Sequence, residues 1–440
     1  MGKTNFEWQV GENDWDDEVE LLTFDPRNEA PRPASRLRAV PRRLVWALTG
    51  LGVLAMALVG WRLWAGYQEG MARVRQDIQA TTDLEAWAWL NRDDKLKETL
   101  VAPDASAGWR TRAGWADNRL RDLVGDTAQP PQVQLSELEL KGDLALVKAT
   151  VNLPSAPNQV GGYSEFRFYE RQPDGLWRRT SPDARFWGDE RTLTSDHFQV
   201  TYRMRDHAAV RAFVPRLEAF YTQAVQTLRL DGKIAGPFQL QIVPTLEGTT
   251  FRISDERRLT IASPLLQPTV LGTQQEDTLL RAVTFPLSSY LIERATDHVT
   301  SQGDWNWGEW RRVSVGIGQW LALEAAGLPP VSQLQMEADF KRDLAGGARP
   351  TLLALNSYRP PAFTSRLGSG MLSVSFAEFI AATYGRDAVG ALVAGLPAAS
   401  TWDDLARQVF NTDSGSLEAA WQTYVMRRYG NENARAGATQ

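Results

Sequence analysis

The spacing of hydrophobic and polar positions changes several times along this chain, and each change marks an element. Residues 44–61, LVWALTGLGVLAMALVGW, are apolar on every side and carry no charge. At 1.5 Å per residue the run spans about 27 Å, close to the thickness of a bilayer core, which predicts a transmembrane helix over residues 44–66. Trp46, Trp61 and Trp64 stand near its ends, where aromatic belts lie, and Arg62 can snorkel to the interface. Helical spacing follows over 71–101, with Val74, Ile78, Leu84, Trp87 and Leu90 on the apolar side. The period then drops to two. QVQLSELELK reads as a strictly alternating, half-buried strand, followed by DLALVKATVNL, YSEFRFYERQ and LWRRTSP, the last two joined by the turn signal Pro173-Asp174-Gly175.

DHFQVTYRM opens the second half as a strand. Asp206 is placed to cap a long helix whose core side carries Val210, Phe213, Leu217, Phe220 and Leu228. FQLQIVP and RRLTIASP read as strands. From Glu276 the pattern is helical, over about 276–296, 313–326, 332–346, 371–384, 387–395, 401–410 and 415–428. Strands followed by a helical half predict an α+β class. The expected organisation is a disordered cytoplasmic tail (1–43), a transmembrane helix (44–66), an α+β cone (70–190), a mostly helical α+β domain (192–430) and a short disordered tail (431–440).

Composition narrows the function. The chain has 440 residues, no cysteine and only three histidines, His197, His207 and His298. Disulfides, thiolate catalysis and zinc–sulfur sites are therefore excluded, and a net charge of -5 argues against a nucleic-acid partner. Arg32, Arg36, Arg38, Arg42 and Arg43 precede the apolar run, whereas Arg62, Arg73 and Arg75 follow it. The positive-inside bias puts the amino terminus in the cytoplasm of a plasma-membrane protein and the body outside. The tail is acidic with interleaved Trp15, Leu21, Leu22 and Phe24, then basic and proline-rich. That composition reads as a solvated tail or as a peptide that orders on a cytosolic partner, its basic half favouring anionic lipid.

The helix-then-strands pattern ending in DGLWRRT resembles the nuclear-transport-factor-like superfamily over about 70–190. A second resemblance covers about 195–430. The stretches SDHFQVTYRMRDHAAV, LLRAVTFPLSSYLIERA, RRVSVGIGQWLALEAAG, SFAEFIAATYGRDAVGALVAGL and TWDDLARQVFNTDSGSLEAAWQTYVMRRYG occur in that order, and together resemble the peptidase MA-like family of gluzincin zinc peptidases. The family carries H-E-x-x-H on the second stretch and a glutamate ligand on the third. Two imidazoles one helical turn apart reach one zinc, and the glutamate takes a proton from the metal-bound water.

Every one of those positions differs here. H-E-x-x-H falls on Phe285, Pro286, Leu287, Ser288 and Ser289, and the third ligand on Val315. The ligand positions are thus Phe285, Ser289 and Val315, and the general-base position is Pro286. The resemblance then implies an inactive relative with no catalytic residue, no metal and no cofactor. A serine mechanism through Ser288 or Ser289 finds no nearby base, because His298 lies about 13 Å further along a helix. His298 reads as a residue of a helix C-terminus, His207 as a surface residue, and Asp403-Asp404 as first-turn residues after Thr401.

Trp305, Trp307 and Trp310 sit in GDWNWGEWRR, before the Val315 helix. They read either as packing under that loop or as a platform for an extracellular peptide or glycan. The function expected is binding, scaffolding or signalling by a membrane-anchored pseudoenzyme. An active extracytoplasmic hydrolase with a non-standard site, and a transmembrane signalling protein acting through its tail, stay open beside it. Protease added to intact cells should degrade the body beyond about residue 70 and spare the tail. Protection of the body would reverse the topology.

Overall fold

The computed structural model describes residues 42–111, 131–152, 162–234, 236–296, 310–326, 331–356 and 366–430. The tail of residues 1–41, the last ten residues, Trp305, Trp307 and His298 lie outside the described residues. Two compact units divide the chain, Met1–Tyr67 and Gln68–Gln440.

The first unit contains the start of helix α1, Arg42–Asn91. It is long and apolar enough to cross a membrane by length and composition, and none of its most apolar window is buried. Trp46, Leu51, Leu54, Met56, Trp61 and Trp64 are all more than half exposed. A bare apolar surface of that extent is unfavourable in water.

In the second unit the end of α1 lies against an antiparallel sheet of β1 (Gln132–Lys141), β2 (Leu144–Asn152), β3 (Gly162–Arg171) and β4 (Trp177–Arg179), in that order. A short helix α2, Asp94–Thr99, is capped by the Asp93 carboxylate, which accepts from Leu96 N. The alternation of β1 is not strict. Val133 and Leu135 fall on odd positions, Leu138 and Leu140 on even ones, and the phase change coincides with a β-bulge between Ser136 and Leu138 where Glu137 takes φ 45°. The extra residue keeps Leu135, Leu138 and Leu140 against the same cluster.

The face that α1 turns to this sheet matches the expected one at Val74 and Ile78 and departs from it further along the helix. Leu84 and Trp87 are half exposed, whereas Ile78, Thr81, Thr82 and Ala88 are buried. The reason is the chemistry opposite. Arg167 and Arg179 point inward, and Glu85 pairs with both, at 3.1 and 3.4 Å. Glu165 pairs with the same two guanidiniums, at 2.6 and 3.5 Å. Burial alone would raise the Glu165 carboxyl, but Arg167 and Arg179 outweigh it and hold it below its ordinary value. Thr82 completes the polar face with a 2.9 Å hydrogen bond to the Tyr169 hydroxyl.

A second sheet runs β5 (Glu190–Thr194), β6 (Phe198–Arg203), β7 (Phe238–Val243) and β8 (Arg258–Ala262). The first pair is antiparallel and the next two are parallel. Helix α3, His207–Thr227, crosses from β6 to β7 and buries all the core positions expected of it. The helical half follows: α4 (Gln275–Ala295), α5 (Arg311–Ala326), α6 (Val331–Ala345), α7 (Leu352–Asn356), α8 (Arg366–Tyr384), α9 (Arg386–Gly395), α10 (Trp402–Phe410) and α11 (Ser414–Tyr429). One large core joins the second sheet to these helices. Helices and sheets together make an α+β chain.

The two sheets are stitched. A two-residue strand β9, Thr269–Val270, pairs with Tyr163 and Ser164 of β3. The Trp187 indole N–H donates to Ser263 Oγ at 3.0 Å, and that hydroxyl donates to Asp206 Oδ1 at 2.7 Å. Asp206 therefore does not cap α3 with its side chain, as its position before the helix suggests. The carboxylate turns inward instead, and its Oδ2 is buried without a partner among the described residues. Burial pushes its pKa up to about 6, and the Ser263 hydroxyl and Arg205 offset this only partly.

A raised carboxyl pKa means that the folded protein holds the proton more tightly than the unfolded chain. The ionised form is thus penalised above about pH 6, and stability from this group returns as pH falls toward the unfolded value of 3.8. The shift corresponds to about 3 kcal/mol. Urea denaturation of the detergent-solubilised chain should show this gain on acidification, and Asp206→Asn should lack it. An identical pH dependence in the variant would contradict the assignment.

Candidate functional site

The positions singled out in the sequence lie on α4 and α5. The α4 helix begins with a capping box between Gln274 and Asp277 and runs through Pro286 to Ala295. Pro286 is buried inside it. Ser288 Oγ donates to Thr284 O at 2.7 Å, and Ser289 Oγ donates to Phe285 O at 3.0 Å. Both hydroxyls are thereby spent on the carbonyl one turn earlier, a pairing that bends helices and suits a proline nearby.

Helix α5 crosses α4 closely because it carries glycines. A Cβ at Gly318 would meet Ser288 Cβ at 3.6 Å and Ser289 Oγ at 3.7 Å. Val315 lies three residues earlier, on the same flank of α5, and is 37 % exposed. On its other side α5 meets α8: a Cβ at Gly316 would come within 2.4 Å of Ser373 O. Phe285, Ser289 and Val315 are thus carried by two packed helices, with Ser289 at the crossing.

Zinc is the metal that the sequence resemblance implies, and these residues do not fit it. A phenyl ring and an isopropyl group offer no lone pair, and the Ser289 hydroxyl is engaged by its own helix. Pro286 has no carboxylate to take a proton. Among the described residues no group of three His, Asp or Glu side chains is placed to hold a metal ion.

The two described histidines have other employment. His207 Nδ1 bonds the Tyr202 hydroxyl at 2.7 Å, so it is half-buried and paired, where the sequence reads it as a surface residue. His197 Nδ1 lies 2.7 Å from Glu218 Oε2, and Ser195 Oγ donates to Glu218 Oε1 at 2.6 Å. Burial raises the Glu218 carboxyl, but its bonds to Ser195 and His197 bring it below its ordinary value. The order is serine, glutamate, histidine. The glutamate stands between the other two, so the hydroxyl bonds a carboxylate and not the imidazole that activates a nucleophile. Asp403 and Asp404 sit in the first turn of α10, as expected; Asp404 N donates to Thr401 Oγ1 at 3.1 Å and Asp403 pairs with Arg407 at 2.7 Å.

Of the three tryptophans, Trp310 is described. Its ring meets Trp402 edge-on at 4.8 Å, and its indole N–H donates to Ala399 O at 3.2 Å. It packs on the main core, where sequence leaves packing and ligand stacking both open. No protein-family model and no curated protein sequence matches the chain.

The two glycines of α5 should respond oppositely to alanine. Gly316→Ala forces a methyl group into the α8 backbone and should destabilise by about 1–3 kcal/mol. Gly318→Ala meets only ordinary contacts and should stabilise, by up to about 1 kcal/mol of helix propensity. Thermal denaturation of both variants checks the pair; equal effects would refute the close α5–α8 approach.

Proposed function

We propose that this protein is a single-pass membrane protein, with its amino terminus in the cytoplasm, whose outer body carries a zinc-peptidase-like fold that has lost its metal and acts by binding or scaffolding. The anchor rests on the unburied apolar helix and on the arginines that precede it. One observation carries the pseudoenzyme reading. The helix that should present two imidazoles one turn apart presents Phe285 and Ser289, with Pro286 between them, and packs at Ser289 against the helix that holds Val315. The order of elements supports it: a strand–strand–helix–strand–strand sheet, then the α4 helix packed on α3 and β8, then α5 across it.

A helix freed from metal chemistry keeps only the demands of packing. That explains an apolar ring and a proline where a peptidase needs a ligand and a base. What remains for the body is recognition, and an extracellular peptide or glycan is the ligand class proposed for it.

Purified full-length protein should hold far less than one zinc per chain by elemental analysis. Phe285→His, Pro286→Glu, Ser289→His and Val315→Glu together should introduce zinc binding. Affinity should be weak, because nothing in this chain has been selected to orient the new histidines, and such outer groups matter by a factor of about 10–100. A folded fourfold variant that takes up no more zinc than its parent would overturn the placement. One tightly bound zinc in the parent would overturn the reading itself.

A further inference from the structure

A cavity of about 240 Å³ opens beside the amino-terminal ends of the parallel strands, lined by Lys233, Ile234, Asp255, Arg257, Tyr290 and Arg294. Three chain segments build it. Lys233 follows the end of α3, and its N–H donates to Leu230 O. Asp255 and Arg257 belong to the tight turn before β8, in which Arg257 N donates to Ser254 O at 2.8 Å. Tyr290 and Arg294 come from α4, one turn apart, on a different flank from Ser289.

The cavity holds three cations against one carboxylate, in a protein of net charge -5. The neighbouring acids are committed elsewhere. Glu293, beside Arg294, is bound by Arg252 at 3.0 Å, and Glu256, beside Arg257, pairs with Arg258 at 3.2 Å. Among the described residues no carboxylate lies within ion-pair distance of Lys233, Arg257 or Arg294. Arg294 lies over the Tyr290 ring at 5.0 Å, and the ring itself is nearly buried, edge-on to Phe238 at 5.4 Å.

Arg257 is held in place at a cost. Its backbone takes φ 59°, a left-handed conformation that a long side chain seldom adopts. Its Nη1 donates to Gly236 O at 3.2 Å, and a Cβ at Gly236 would come within 3.0 Å of Nη2. The guanidinium is thus braced across the mouth with donors still available.

We propose that this cavity binds a small phosphate-type oxyanion, free or as a monoester, through Lys233, Arg257 and Arg294. Guanidiniums match phosphate oxygens in pairs, and the ammonium adds a mobile point charge. The volume lies below that of pockets that enclose drug-sized ligands, which suits a group of few heavy atoms. Asp255 disfavours a bare polyanion and accepts from a hydroxyl, which favours the ester. This site is independent of the fate of the α4–α5 position.

The test is titration of the full chain in detergent with inorganic phosphate and, separately, glycerol phosphate, at constant potassium chloride. It is followed by calorimetry and by ³¹P line broadening. Saturable binding is expected, weaker by about tenfold or more in Lys233→Gln, the loss of one charge-assisted contact. Lys233 is exposed and has no side-chain partner among the described residues, so the substitution is expected to leave folding intact; thermal denaturation verifies this. Arg294→Gln should weaken binding further. Tighter binding of glycerol phosphate assigns the occupant to an ester, such as a lipid headgroup or a sugar phosphate. Equal binding assigns it to the free ion. Absence of saturable binding of either probe, or unchanged affinity in Lys233→Gln, overturns the proposal.

Discussion

The hydrogen-bond relay from Trp187 through Ser263 to Asp206 is the constraint around which the body is arranged. Asp206 follows β6, Ser263 follows β8, and Ser263 N also donates to Val243 O at the end of β7. The carboxyl-terminal ends of all three parallel strands therefore converge near one indole, which the turn between β4 and β5 carries and which packs on the first sheet. In open parallel sheets that edge is the usual place for a ligand. Here it is closed by the polypeptide itself. The start of α3, the position of β9 and the stacking of Trp187 on Phe168 at 5.5 Å all follow from this closure.

A second polar device, the Glu85, Glu165, Arg167 and Arg179 network, fixes α1 to the first sheet. Ion pairs in such a place gain little net stability over apolar packing, because each charge must leave water. They do specify which face of the helix turns inward. Glu85 meets the arginines, Thr81 donates to Trp177 O and Thr82 bonds the Tyr169 hydroxyl, and a helix rotated to bury Leu84 and Trp87 would strand these groups.

Much of the fold was legible because it depends on local spacing. The helical half follows its 3.6-residue periodicity to within a few residues at most ends, and α3 buries the side chains its spacing assigns to the core. Misreadings arose where distant residues decide. The inward face of α1 carries Thr81, Thr82 and Glu85 beside Ile78 because Trp177, Tyr169 and two arginines far along the chain meet them there. Asp206 looks like a cap and is a buried partner. The strands β5 and β9 are too short or too polar to show a pattern, and β9 exists only through β3. Phe285, Pro286, Ser289 and Val315 stand out only through a resemblance to a short motif, and the fold carries them on two packed helices, α4 and α5. The cation-lined cavity could not be read, since Lys233, Arg257 and Arg294 come from three segments and each alone resembles any surface charge.

The two residues of β9 carry a consequence beyond their size. They cover the stretch of β3 at Tyr163 and Ser164, on the side that β4 occupies further along at Tyr169 to Arg171. A chain severed near residue 195 would keep every other strand of the first sheet yet leave this edge with open donors and acceptors, beside an uncovered Trp187 surface. Such an edge is a template for intermolecular pairing. The amino-terminal half, separated by proteolysis or by truncation, would therefore be prone to self-association, which the later half prevents by covering that edge.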